Sequence, residues 1–185
     1  MVGLGNPGER YRRTRHNAGF MAVDVLAART RAASRVWGDA WVAEAPLGGT
    51  NALLVKPLSF MNGSGGPVAR VLAAYGGSPT DLVVLVDDLA LELGVLRVRE
   101  RGSHGGHNGL RSLGESLGTE DFPRVRIGVR RGELPADLAT YVLADFTPDE
   151  VLLVQETVGL AADAVACFLE DGPTAAMNRF NAPRP

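Results

Sequence analysis

Residues 82–86 read LVVLV and run straight into Asp87 and Asp88. A short, unbroken aliphatic run bounded by polar residues has no wet side, so it describes a strand covered on both faces. Such a strand needs a layer of structure above it and another below it, which is the arrangement of a parallel sheet between helices. The rest of the chain supplies the parts. Residues 42–46 and 52–56 read as two strands around GGTN, a hairpin signal. Residues 95–101 alternate apolar and charged (VLRVRER), so one face of that strand is wet, and residues 125–129 form a further apolar run.

Helical spacing fills the gaps. Residues 17–33 bring Phe20, Val23 and Ala27 to one side, and residues 62–75 do the same with Val68, Val71, Leu72 and Tyr75. Residues 107–117 form a third segment. Thr147, with Pro148 next and Glu150 three residues on, opens a long helix that runs to about Glu170, with Gly172 as its stop and Pro173 starting a last short segment. No repeat or linker interrupts the pattern. The expectation is a single domain over residues 1–185, three layers α/β/α, with a mixed, mostly parallel central sheet.

Several function classes fall away on composition. Cys167 is the one cysteine, so neither an intrachain disulfide nor a multi-cysteine metal site can form. The chain has no run of 18 apolar residues and no basic-then-apolar leader at its start, which points away from a membrane and toward a reducing cytoplasm. Aromatics make up only 6% of the residues, too few for a broad stacking platform. The net charge of −2 conceals an asymmetry. Residues 10–15 (RYRRTR) hold four arginines, Arg97, Arg99 and Arg101 alternate, and Arg124, Arg126, Arg130 and Arg131 lie close together, whereas residues 133–171 carry nine acids and no basic residue. A chain organised this way can turn a basic face to a polyanion or simply solvate its surface with arginine.

Two glycine-rich loops compete for attention. GLGNPG at residues 3–8 matches GxGxxG, but Pro7 sits in its turn and ERYRRTR follows where an apolar helix should begin, so a dinucleotide-dependent oxidoreductase is a weak alternative. GSHGGHNG at residues 102–109 is more informative: it joins a strand to a helix start, where close backbone approach and free N–H groups suit a polar ligand, with Asn108 a good helix cap.

The residues able to do chemistry gather at junctions between elements. Asn6 falls with His16 and Asn17, Asn62 follows Lys56-Pro57, and Asp87 with Asp88 closes the buried strand near His107 and Asn108. In an open α/β sheet, ligands collect beyond the carboxyl ends of the strands, so Asp87 stands where chemistry is expected. His16 suits a general base, with Asp87 to orient its ring. Asn62 and Asn108 offer amide donors for an oxyanion or a carbonyl. Covalent catalysis is poorly supported: neither Ser64 nor Ser103 lies in GxSxG, and Cys167 sits in an apolar helical pattern. A metal reading would use His104 and His107 with Asp87 or Asp88, but HxxH alone is a weak pattern.

Taken together, VGLGNPG, TRHNAGF, KPLSFMNGSG, DDL, GGHNGLRS and FPRVRIGV occur in an order and spacing that resemble the bacterial peptidyl-tRNA hydrolases, from Val2 to about Asn181. The resemblance implies a cytoplasmic, monomeric hydrolase without cofactor or metal. Its substrate is peptidyl-tRNA, cut at the ester between the peptide and the 3′ ribose. It implies a catalytic set of His16, Asp87 and Asn6, the last reading the blocked peptide end. It places Tyr11, Phe60, Asn62 and Asn108 at the tRNA end and reacting centre, and Met61, Gly105 and Gly106 along the peptide cleft. Arg97, Arg99 and Arg126 would meet tRNA phosphates, which give affinity without reading sequence. The chain departs from the family pattern at Ala90, where a further Asp is common, at Arg130-Arg131-Gly132, where Gly-x-Pro is common, and in having only Met1 and Val2 before GLGNPG. The alternative within the same fold is an RNA-binding relative without catalysis; an intact set of Asn6, His16, Asn62, Asp87 and Asn108 favours the enzyme.

Overall fold

A computed structural model describes residues 1–182. Its strands are β1 (Val2–Gly3), β2 (Ser34–Trp37), β3 (Ala40–Leu47), β4 (Thr50–Pro57), β5 (Val84–Glu92), β6 (Leu96–Arg99) and β7 (Arg124–Arg130), and its helices are α1 (Ala18–Thr30), α2 (Gly65–Ala74), α3 (Asn108–Leu117), α4 (Leu138–Leu143) and α5 (Val151–Phe180). The strands form one sheet in the order β2-β3-β4-β1-β5-β7-β6. The four central strands β4, β1, β5 and β7 are mutually parallel, and antiparallel pairing is confined to the two margins.

The aliphatic run explains the layering. Because side chains alternate along a strand, Val83 and Leu85 enter one core with α1 and α5, while Leu82, Val84 and Val86 enter the other with α2 and α3. Both faces of β5 are therefore dry, as the absence of polar residues in LVVLV requires. The hairpin expected around GGTN joins β3 and β4, with Leu47 opposite Thr50 and both Gly48 and Gly49 at positive φ, the geometry of a tight turn matched to strand twist.

The chain crosses from one side of β1 to the other between β4 and β5, so the crevice beyond β1 and β5 is the switch point of the sheet. Helix α1 is pressed against its floor. A Cβ on Gly19 would lie 2.3 Å from the Leu85 carbonyl oxygen, and one on Gly3 would lie 2.4 Å from that of Gly19, so only glycine permits this approach.

Two strands differ from the sequence reading. β5 does not end at Asp87 and Asp88 but continues to Glu92 through an irregularity in its pairing with β7. β2 is an exposed edge strand whose four residues, SRVW, are too few and too polar to announce themselves. GLGNPG leads into a 3-10 turn at Glu9–Tyr11, and the first helix begins only at Ala18, so the glycine loop does not open a helix onto a pyrophosphate. The last helix follows the expected course: Glu150 accepts from the Thr147 N–H at 2.7 Å, and the helical path breaks at Gly172 (φ 87°) before Pro173 begins the final leg. Among the described residues α5 is the one helix long and apolar enough to cross a bilayer by composition; here Val154, Val158, Ala161, Ala162 and Val165 pack it into the core with α1.

Candidate active site

The loop after β1 and the turn before α1 are locked together first. Asn17 donates its amide to the Asn6 carbonyl at 2.9 Å and accepts from the Asn6 N–H at 2.8 Å. Asn6 in turn accepts from the Met61 N–H at 2.8 Å through Oδ1, drawing in the 3-10 turn Met61–Gly63 that carries Asn62. With Oδ1 spent on that bond, the orientation of the Asn6 amide is fixed and its NH2 is left for a ligand. Among the described residues the side-chain amides of Asn62 and Asn108 make no hydrogen bond to protein either, so three amides stand available.

His16 belongs to the 3-10 turn Arg15–Asn17 and is buried against the sheet. Its Nδ1 lies 2.9 and 3.0 Å from the two oxygens of Asp87. A carboxylate accepts, so Nδ1 holds the ring proton and the lone pair sits on Nε2. Asp87 also meets His107, whose Nε2 lies 3.0 Å from Oδ1. On the far side of the same ring, Nδ1 accepts from the N–H groups of Gly109 and Leu110 at 3.1 and 3.3 Å. His107, not Asn108, is thus the cap of α3. A ring that accepts through Nδ1 carries its proton on Nε2, so His107 donates to Asp87 and has no lone pair there for a cation. His16, Asp87 and His107 are close enough to be considered as a metal cluster, but this tautomer removes one of the three ligands, and His104 of the HxxH pattern is not part of the cluster.

Two imidazoles facing one carboxylate set its charge. Burial pushes the Asp87 carboxyl up, but His16, His107 and their hydrogen bonds outweigh it and hold the group far below the usual carboxylate range. Burial pulls His16 down, yet the Asp87 charge and hydrogen bond prevail and its imidazole titrates above the ordinary histidine value. The arrangement is a carboxylate held in its ionised form by two imidazoles, aligning a base whose Nε2 is free.

His16, Asp87, His107 and Asn108 line a cleft of about 590 Å³ bounded on the other side by Gly105, Gly106, Arg99, Arg126 and the α4 residues Leu138, Ala139 and Val142. Gly105 and Gly106 sit at positive φ in the turn before α3. Tyr11 and Phe60 meet edge to face with centroids 6.2 Å apart, and Phe60 is 61% exposed; these two rings, like Asn6, Met61 and Asn62, are not among the residues that line the cleft. Arg97 lies opposite Arg126 across the β6–β7 ladder, and Arg97 and Arg99 share one face of their strand, with Arg99 exposed and Arg97 half-buried. Arg126 is paired with Asp88, whose second role is to accept from the Ala90 N–H.

Not every arginine of the sequence clusters reaches the surface. Arg124 is buried and donates to the carbonyls of Ser103, Glu120 and Phe122, so it fastens the loop before α3 instead of meeting a phosphate. Arg15 is also buried, on Glu150. Two functional contributions escaped the sequence reading, the second hydrogen bond to Asp87 from His107 and the brace supplied by Asn17. The dipeptide His107-Asn108 at a helix start was the visible signal for the first, but asparagine is the stronger cap by type and drew the assignment.

Comparison with known proteins agrees with this architecture. The family described as Peptidyl-tRNA hydrolase matches residues 1–185. The chain is 47% identical over 183 residues to a peptidyl-tRNA hydrolase of Chloroflexus aurantiacus, covering 98% of this chain and 97% of the relative. It is 46% identical over 189 residues to that of Brevibacillus brevis, covering 98% and 96%. The crystal structure of peptidyl-tRNA hydrolase from Acinetobacter baumannii superposes with a TM-score of 0.92 at 32% identity, covering 100% of this chain and 94% of that one. By sequence over its whole length and by fold, the chain belongs to the peptidyl-tRNA hydrolase family.

Proposed function

We propose that this chain hydrolyses peptidyl-tRNA at the ester joining the peptide to the 3′ ribose, with His16 as general base. The observation that carries the reading is the His16–Asp87 contact, which leaves Nε2 of His16 unprotonated beside a cleft that Asn108 lines. Nε2 takes a proton from water as its oxygen attacks the ester carbonyl carbon. Asp87 stabilises the imidazolium that forms. The Asn108 and Asn62 amides donate to the developing oxyanion and the ribose end. Collapse of the tetrahedral species expels the 3′ oxygen, which receives the proton held by His16. An ester alkoxide leaves readily once protonated, so no covalent enzyme intermediate is needed.

Asn6 supplies its NH2 to the peptide next to the scissile group, which is how a blocked amino end is read, and Met61 with the Gly105 and Gly106 backbone lines the peptide path. Tyr11 and Phe60 offer a surface for the terminal nucleotide. Arg97, Arg99 and Arg126 hold phosphates. The reaction requires no cofactor or metal. The family resemblance supports a monomeric enzyme, and a substrate released by ribosomes fits work in the cytoplasm, away from a membrane.

The test compares N-acetyl-aminoacyl-tRNA with the unblocked aminoacyl-tRNA in the presence of a chelator. The blocked ester is cleaved and the free one spared. His16→Ala loses at least ~10²-fold in rate, the scale of a general base, while its melting curve and tRNA binding stay close to native. Cleavage that stops with the chelator, or survives in His16→Ala, removes His16 from this role.

A further inference from the structure

We propose that Arg15 is a positioning residue that ties the α4 wall of the cleft to the turn carrying His16. This rests on the hydrolase reading of the cleft. Arg15 and Glu150 are 5% and 2% exposed, and one guanidinium nitrogen of Arg15 reaches both Glu150 oxygens, at 2.7 and 2.9 Å. The other terminal nitrogen donates to the Asp145 carbonyl at 2.7 Å. The guanidinium plane is flanked by the rings of Tyr141 and Phe146, 4.5 and 5.1 Å from their centroids. Backbone bonds run in parallel: Arg15 donates to the Ala144 carbonyl, Phe146 donates to the Arg13 carbonyl, and Thr14 bridges Asp145. The residues on either side of this seam are the informative ones. One strand of the seam leads into His16, and the other leads out of α4, whose Leu138, Ala139 and Val142 face the cleft.

A buried ion pair is weak evidence of stabilisation, because desolvating both charges offsets most of their attraction, and a well-packed apolar pair commonly does as well. Its distinctive property is geometry: a planar fork satisfies two oxygens, a carbonyl and two rings in one arrangement only. Arg15 has that fork, and it spends it on the joint between the wall and the base. Glu150 is fixed from behind by the Thr147 N–H, so the joint cannot slide along α5. The wall therefore stands at a set distance from His16 before substrate arrives, and substrate does not have to order it.

Steady-state kinetics on N-acetyl-aminoacyl-tRNA separates this role from a merely structural one. Arg15→Lys keeps the charge but loses the fork and the stacked plane. Phe146→Leu removes one ring without stranding a buried charge, whereas Tyr141 also holds the Arg131 N–H and the Val129 carbonyl through its hydroxyl. Both are expected to raise KM, by about 10-fold for Arg15→Lys and less for Phe146→Leu, with kcat within about twofold of native, because the wall meets the body of the substrate and not the reacting atoms. Amide exchange over residues 138–146 is faster in both. A fall in melting temperature with native KM and native exchange overturns the proposal, and so does a fall in kcat at unchanged KM, which would put the effect on His16 itself. If Arg15→Lys does not fold, Phe146→Leu decides alone. If the native protein leaves the substrate uncut, the hydrolase reading fails, and amide exchange still judges the coupling: exchange unchanged at 138–146 in the variants refutes it.

Discussion

His107 shows how one side chain can serve two masters. Its Nδ1 satisfies two of the orphan N–H groups at the start of α3, and its Nε2–H reaches Asp87. The two tasks can be separated by His107→Asn, since asparagine caps a helix well but is too short to reach the carboxylate. The variant is expected to melt near the native temperature and to lose about tenfold in kcat/KM, roughly the worth of one hydrogen bond to a charged group. Its pH profile carries a second signature. His16 works as a base only when unprotonated, and its folded-state value already lies above the ordinary 6.5, so activity climbs with pH through that raised value. Without the bond from His107, Asp87 pulls harder on the His16 imidazolium, and the acidic limb of kcat/KM moves further up. A limb that stays in place, or moves down, contradicts the shared-carboxylate arrangement. Stability runs the opposite way. The contribution of His16 is complete below 6.5 and fades as pH rises through its raised folded value, while that of Asp87 is complete above 3.8 and fades only as pH falls toward its strongly depressed one. The enzyme thus becomes active in the range where His16 stops helping to hold it together.

At the scale of elements, the site depends on how closely α1 lies on the sheet. Gly19→Ala puts a methyl group 2.3 Å from the Leu85 carbonyl and 2.6 Å from that of Leu4, neither of which is a flexible side-chain end. The helix must lift, and the turn holding His16 and Asn17 lifts with it. We expect a loss of about 1–3 kcal/mol in stability, as for an overpacked core, together with a lower kcat in the folded protein, measured by denaturant titration and single turnover. A variant with native kcat would detach the α1 packing from His16 geometry. This example also marks the boundary of what the residues disclose by themselves. The alternation of LVVLV between two cores, the Gly48-Gly49 hairpin and the break at Gly172 all follow from local pattern and turn chemistry. The close approach at Gly19 does not, because a helical glycine has the same local appearance whether a backbone lies 2.3 Å away or not. The same holds for Arg15, whose partner is Glu150, and for the bond from Arg124 to the Ser103 carbonyl in the loop before α3, contacts that no window of sequence brings together. β2 is a further case, paired only because β3 is already in place to receive it.

Across the whole molecule, charge is sorted although the net value is only −2. With Arg15 and Arg124 committed to the interior, the arginines left to meet a polyanion near the cleft are the exposed Arg101 and those of the β6–β7 ladder, where Arg97 stands opposite Arg126 and Arg99 is exposed one step along. Asp88 already neutralises part of Arg126, and Glu92 does the same for Arg130, so within the ladder Arg97 and Arg99 carry the larger share of uncompensated charge. A phosphate contact releases condensed counterions, and each one lost flattens the dependence of log K on log salt by about one unit at most. Replacing Arg97 and Arg99 together by glutamine is therefore expected to weaken tRNA binding and to reduce that slope by up to about two, with hydrolysis of a short acyl-adenosine ester little changed because such a substrate has no phosphates to hold. Filter binding across a salt series, paired with turnover of the truncated ester, reads both quantities. A native slope in the double variant would move the docking face off this ladder, toward Arg10 and Arg13 beside Tyr11. A matching loss on the truncated ester would mean that the two arginines shape the reacting centre itself and do not simply hold the body of the tRNA.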